Sequence, residues 1–404
     1  MTHAMTPVLD RPHAQRPPAA NGRFLRRAVF AALVGAACLL AVGGTAAASA
    51  ENTSRVVGHL YVNENTTGTN TVAGFDRHAD GSLSPIPGSP FVAGGAGTGS
   101  GIASQGALQQ SSDGRFLLAV DAGSNQVSVL KIKHDGSLRA VHGGTVSSNG
   151  IDPVSIAVHG DLVYVANAGL GGSDYTGFRF SGGHLRALAG STVSLLDGSQ
   201  PGDVLFNGTG TKLVGTRVGT SLIDSFTVGH DGRLSAAPGS PFAAQGPGPF
   251  GSEFRPTDPT QLFVSNAHGG LNNGTVSAFA DAANGTLTSI GTSPFPDLQT
   301  APCWVEISHD GQYLFTVNTA VQTISRYWIA GDGSLVLLGS TPLAAPAATP
   351  EDARLSPDGS TLWVVDAKAN TVSGFSVNGG NLSELASSPT VTSAGAAPTG
   401  IVVT

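Results

Sequence analysis

The amino-acid sequence predicts an all-β protein, a seven-bladed β-propeller of four-stranded blades, on three observations. A glycine turn followed two residues later by leucine recurs seven times, at Gly81, Gly136, Gly183, Gly232, Gly285, Gly333 and Gly380, with intervals of 55, 47, 49, 53, 48 and 47 residues. That spacing is the period of a four-stranded blade. Short alternating runs rich in Val, Thr and Ser fill the space between turns, and no stretch carries a useful 3.6-residue apolar period. The two ends also complement each other: Pro398-Thr399-Gly400-Ile401-Val402-Val403-Thr404 is an inner strand without a second, and His59-Leu60-Tyr61-Val62-Asn63-Glu64 is a second strand without a first. Joined, they complete blade one and close the ring.

Residues 1–50 read as a targeting segment and are set apart from the fold. Arg23, Arg26 and Arg27 precede an apolar run from Ala28 to Val42, and Ala48-Ser49-Ala50 supplies small residues for cleavage. The run is too short and too rich in Ala and Gly for a membrane span. The expected product is a secreted or cell-envelope protein, residues 51–404, forming a single propeller. Arg26-Arg27 leaves both the general secretory and the twin-arginine routes open. Gly35 stands where a lipoprotein signal carries Leu, so lipidation at Cys38 is not expected.

Each blade then reads in order. An apolar inner strand, usually led by proline as in Pro153-Val154-Ser155-Ile156 or Pro302-Cys303-Trp304-Val305, ends in a turn such as Ser112-Asp113-Gly114, His309-Asp310-Gly311 or Pro357-Asp358-Gly359. Glycine there supplies positive φ and Asp bonds the local backbone. A second strand finishes on a polar residue, as in Leu262-Phe263-Val264-Ser265-Asn266 and Leu362-Trp363-Val364-Val365-Asp366. A third alternates strictly, as in Thr371-Val372-Ser373-Gly374-Phe375. The fourth is short, and the repeated Pro87-Gly88-Ser89-Pro90-Phe91 and Pro238-Gly239-Ser240-Pro241-Phe242 suit an outer edge, where no ladder hydrogen bond is needed. The run from Gly94 to Gly101 reads as a loose connection between blades one and two.

Composition excludes several functions. Five of the 20 basic and one of the 27 acidic residues lie in the first 50, so removing them moves the net charge from −7 to −11. Nucleic acid is therefore not an expected partner. Cys303 remains as the single cysteine, which rules out an intrachain disulfide and suits a small buried apolar residue. His134, His230 and His309 sit in separate turns and do not form a metal set. His-Glu-x-x-His, phosphate-loop and Gly-x-Ser-x-Gly motifs are absent. No metal and no cofactor is expected.

Tyr61-Val62-Asn63, Tyr164-Val165-Ala166-Asn167 and Phe315-Thr316-Val317-Asn318, with the turns around them, resemble the lactonase family of seven-bladed propellers, which includes 6-phosphogluconolactonase and the muconate-lactonising enzymes and overlaps the Tyr-Val-Thr-Asn repeat proteins. The resemblance spans residues 59–404 and implies a small-molecule ligand, a lactone or sugar acid. It also implies Pro-Arg-His leading an inner strand and Asn-Glu leaving its partner. Blade six instead carries Pro302-Cys303-Trp304 and Asn318-Thr319, so any lactone chemistry here needs a different constellation.

Candidate residues follow from register. Counting the leading proline as zero, position four of the inner strands carries Gln109, Ala157, Leu205, Glu253, Glu306, Arg354 and Val402. Alternation along a strand places these toward the channel if positions one, three and five face neighbouring blades. Glu306 and Arg354 are the candidate general base and anion-holding group, with Glu253 raising a carboxylate pKa by like charge; a self-satisfied ion cluster is the competing reading. The second-strand exits are Glu64, Asp121, Asn167, Arg217, Asn266, Asn318 and Asp366. Most are turn residues, whereas Arg217 and Glu64 break the pattern as candidate ligand contacts. Trp304, Asp203 and Asp352 at position two complete the set, Trp304 either stacking on a flat ligand or packing. The expected function is binding of a small polar or anionic ligand at the channel mouth. The alternatives are a lactone hydrolase or cycloisomerase, and an extracellular scaffold or adhesion module binding a protein through the rim near Phe91 or Phe242.

Overall fold

Seven antiparallel sheets stand around a central axis, each with four strands in sequential order. The computed structural model describes residues 55–346, 348–393 and 396–404; the targeting segment expected over 1–50 lies outside the described residues. Six inner strands are Leu108–Gln110, Pro153–His159, Pro201–Phe206, Pro249–Arg255, Pro302–Ile307 and Pro350–Leu355, in blades two to seven. The seventh, Thr399–Val403, pairs antiparallel with Val56–Asn63, matching Leu60 to Val403, Tyr61 to Val402 and Val62 to Ile401. The ring is closed by the last strand, as the two ends of the sequence require. His59 and Thr404 exchange backbone bonds at 3.0 and 2.8 Å, and Arg77 Nη2 donates to the Thr404 carbonyl at 2.8 Å.

All seven repeated glycines sit at positive φ, between 75° and 90°. In the Asp-Gly-Ser turn at Asp135 the carboxylate accepts the Ser137 N–H at 3.0 Å, which holds the hairpin into the short fourth strand. The Pro-Gly-Ser-Pro-Phe segment does more than cross the rim. Phe91–Val92 and Phe242–Ala243 return to pair with the start of their own third strands, and Ser89 and Ser240 accept the Gly74 and Ser225 N–H groups. Six blades have this two-residue addition; blade six instead continues its fourth strand through Leu335–Pro342. The only helical turn among the described residues is Ala122–Ser124, and no helix among them is long and apolar enough to cross a membrane.

The core lies between blades. Val305 and Ile307 pack with Phe263 and Val276 of blade five, and Ile401 and Val403 with Trp363 and Val365 of blade seven. Positions three and five thus face the preceding blade. The reading that even positions face the channel does not hold in every blade: Ala157 packs with Val204 and Leu213 of blade four, Val402 with Leu117 and Ala119 of blade two. Each sheet stands radially, so both of its faces meet neighbours and only the inner edge meets the axis.

Candidate functional site

The glycine run is not a loose linker. Gly97 N–H and Gly99 N–H donate to Thr66 and Asn65 carbonyls at 2.8 Å each, Gly95 N–H to the Asp121 carboxylate, and Asn65 Nδ2 to the Ser100 carbonyl at 2.6 Å. The chain then drops into the axis as a plug, residues 102–107. Ser104 Oγ donates to Val154 O of blade three at 2.7 Å, and Gln105 N–H to Gly202 O of blade four at 2.9 Å. The Gln105 amide bridges blades five and six, donating to Ser252 O and accepting from Val305 N–H, both at 2.9 Å. Gly106 N–H donates to Asp352 of blade seven at 3.1 Å. Gly251 lies against this amide, where a Cβ would come 2.2 Å from Gln105 Oε1 and 2.7 Å from Cys303 O.

Position two belongs to this sealed layer. Trp304 is 2 % exposed, donates Nε1–H to Ser104 O at 2.6 Å and meets Phe250 edge-on at 5.2 Å, so it packs and does not present a stacking face. Asp203 accepts from Ser252 N–H and Oγ–H at 2.9 and 2.6 Å and lies 3.3 Å from Ser155 Oγ. Burial still lifts its carboxyl to about 7. Burial lifts Asp352 to about 6, Arg354 pulling it back.

Position four lies deeper. Glu306, Arg354 and Glu253 come together, with Arg354 Nη1 at 3.3 Å from Glu306 Oε2. Glu306 Oε1 accepts the Leu355 N–H at 2.8 Å. Glu253 Oε2 has no partner, and burial together with the Glu306 charge holds its carboxyl well above the ordinary range. Burial raises Glu306 as well, while Arg354 opposes the shift. Burial works against the Arg354 charge, but Glu306, Asp352, Glu253 and Asp203 hold the guanidinium protonated. Its side chain is 29 % exposed, and Gln109, Leu205 and Glu253 are half-buried. The layer at position two is closed, so water reaches this ring from the side away from the plug.

The second-strand exits form a clamp. Glu64 accepts from Thr71, Asp121 from Ser128, Asp366 from Ser373; Asn167 donates to Asp174 and Asn318 to Ser325, each pair seven residues apart. Arg217 follows the same spacing to Asp224. Asn266 reaches Ser277 across a longer loop. Glu64 is fully buried and also accepts the Ser393 N–H at 2.9 Å. The polar ends of Glu64 and Arg217 are thus bonded within the protein.

A cavity of about 270 Å³ opens beside the plug between blades three, four and five. Its walls include Ile102, Val218 and Phe250, with Asp152, Gln200 and His268 as polar groups. Asp152 and Gln200 directly precede the leading prolines and are left-handed, at φ 57° and 46°, so that their carbonyls accept Ala168 and Val218 N–H. Burial raises the Asp152 carboxyl. Register counting passed over these residues because they lie one place outside the strands. Gln105 had a signal: it occupies the place of proline in the other six blades. Among the described residues no group of His, Cys, Asp and Glu gathers as a metal site. Cys303 is buried, and burial pushes its thiol up to about 12.

The family described as Lactonase, 7-bladed beta-propeller matches residues 58–170 and 211–402. The chain belongs to that family. This lactonase propeller is similar to a periplasmic gluconolactonase of Pseudomonas aeruginosa, at 18 % identity and TM-score 0.68, over 86 % of this chain and 98 % of the other. A candidate 6-phosphogluconolactonase of Bacteroides uniformis gives 20 % identity and TM-score 0.67 over 86 % and 99 %. A protein of Lactobacillus plantarum gives 18 % and 0.69 over 86 % and 99 %. At these identities the likeness is one of fold. No curated protein matches the lactonase propeller.

Proposed function

We propose that this chain is an exported lactonase-family propeller that binds a small polar ligand, a lactone or sugar acid, in the mouth pocket between blades three, four and five. The pocket carries the reading: Phe250, Val218 and Ile102 offer an apolar wall to a ring face, while Asp152, Gln200 and His268 offer hydrogen bonds to its ester and hydroxyl edge. The leader-like first 50 residues support export. Glu64, Arg217, Asp203 and Trp304 act here as frame, since their polar atoms bond within the protein.

A second reading rests on Glu306 and Arg354. Beside them, Glu253 keeps a proton above the ordinary carboxyl range, which supplies an acid next to a base for opening or closing a lactone. Proton release and calorimetric binding, measured on the purified protein against aldonolactones and muconolactones, separate the two. Binding lost in His268→Ala and kept in Arg354→Ala supports the mouth pocket. Turnover lost in Arg354→Ala assigns the chemistry to the channel. Neither binding nor turnover with any lactone turns the search to a protein partner on the rim, where Phe91 and Phe242 are half-buried.

A further inference from the structure

A second cavity, about 410 Å³, opens on the other side of the plug, where blade seven meets blade one. Gly101, Thr349, Glu351, Lys368, Asn370 and Ala397 line it. Glu351 is 7 % exposed, and its Oε2 has no hydrogen-bond partner. Gly101 covers it closely, since a Cβ there would lie 3.2 Å from Glu351 Oε1. Lys368 is exposed at the rim. Asp281 also has an orphan carboxyl oxygen in a cavity lining, but the Lys212 beside it is buried and already bonded to Asp281.

We propose that this pocket binds the carboxylate of a small organic acid, paired with the Lys368 ammonium and hydrogen-bonded to Glu351. A cationic ligand would meet Lys368 at the rim, and a neutral polyol would leave that charge unused. Burial, and then the adjacent Asp352 carboxylate, lift Glu351 to about 8, so it carries the donor proton at neutral pH. Cys303 from blade six, the other titratable group facing it, is pushed up by burial and stays a neutral thiol. The site is separate from the mouth pocket, and variants at Lys368 and Glu351, which line only this cavity, distinguish the two.

Titration calorimetry of the purified protein with D-gluconate tests it. Saturable binding is expected at pH 6, falling about tenfold by pH 9 as one proton leaves a group titrating near 8. Lys368→Ala should weaken binding at both pH values. Glu351→Gln should keep binding at pH 6 and abolish the fall at pH 9, because an amide is a permanent donor. In a His268→Ala background, which takes the mouth pocket out of play, the gluconate binding that remains should still depend on Lys368 and on pH. Absence of saturable binding at pH 6, an unaltered affinity in Lys368→Ala, or a pH dependence that survives in Glu351→Gln would overturn the proposal.

Discussion

Arg217 grips Asp224 through two parallel contacts, Nε to Oδ2 at 2.6 Å and Nη2 to Oδ1 at 2.5 Å, with Tyr175 OH donating to the same carboxylate at 3.0 Å. Their side chains are 11 % and 3 % exposed. The pair fastens the second strand of blade four to the third, as lighter pairs do in other blades. Arg217→Ala strands a buried carboxylate and should cost about 3–5 kcal/mol in urea unfolding. An Arg217→Met, Asp224→Leu double variant should recover much of that. A loss under about 1 kcal/mol in the single variant would mean that the clamp does not hold the blade.

Ring closure predicts an unusually damaging terminal cut. Deleting residues 398–404 removes Ile401, Val402 and Val403, all buried and worth about 1.5–3 kcal/mol each, and bares the Val56–Asn63 edge. Thermal unfolding should shift down sharply and aggregation should rise. An unchanged midpoint would contradict the pairing.

The plug predicts two separable effects. Gln105→Ala leaves the Val305 N–H and Ser252 carbonyl without partners and should cost about 1–3 kcal/mol, with faster hydrogen exchange at Val305. Gly251→Ala should be worse than an ordinary surface change, because the new methyl meets the Cys303 backbone as well as a movable amide. Equal stability of wild type and Gly251→Ala would show that the plug yields.

The buried carboxyls set a pH trend. Asp203, Asp352 and Glu351 titrate at about 7, 6 and 8 in the fold, above their ordinary values. The folded chain therefore holds protons that the unfolded chain releases, and stability falls as pH rises from about 4 to about 8. Unfolding midpoints should be higher at pH 5 than at pH 8. Glu351→Gln should be near neutral at pH 5 and stabilising at pH 9. A midpoint that rises over this interval would reverse the assignment.

The repeat was legible because turn chemistry is local: Gly81 and its six counterparts need positive φ whatever surrounds them, and the unmatched strand halves at His59 and Thr404 leave one solution. The site was less legible for a geometric reason. Alternation tells which residues share a face, but a radial sheet turns both faces toward neighbours, so Val402 packs where a channel lining was expected, and Trp304 takes the packing alternative. Arg217 looked exceptional by type while obeying the spacing of its clamp, whose partner Asp224 was readable seven residues on. The glycine run looked loose because backbone bonds to Asn65 and Thr66 leave no trace in side-chain pattern.

His59 finds its backbone partner in Thr404, 345 residues later, so blade one is the first sheet begun and the last completed during synthesis. Until then an unpaired strand edge waits at the front of the chain. A chain released before the strand Thr399–Val403 is made would have six complete blades and an open flank prone to stick to its neighbours.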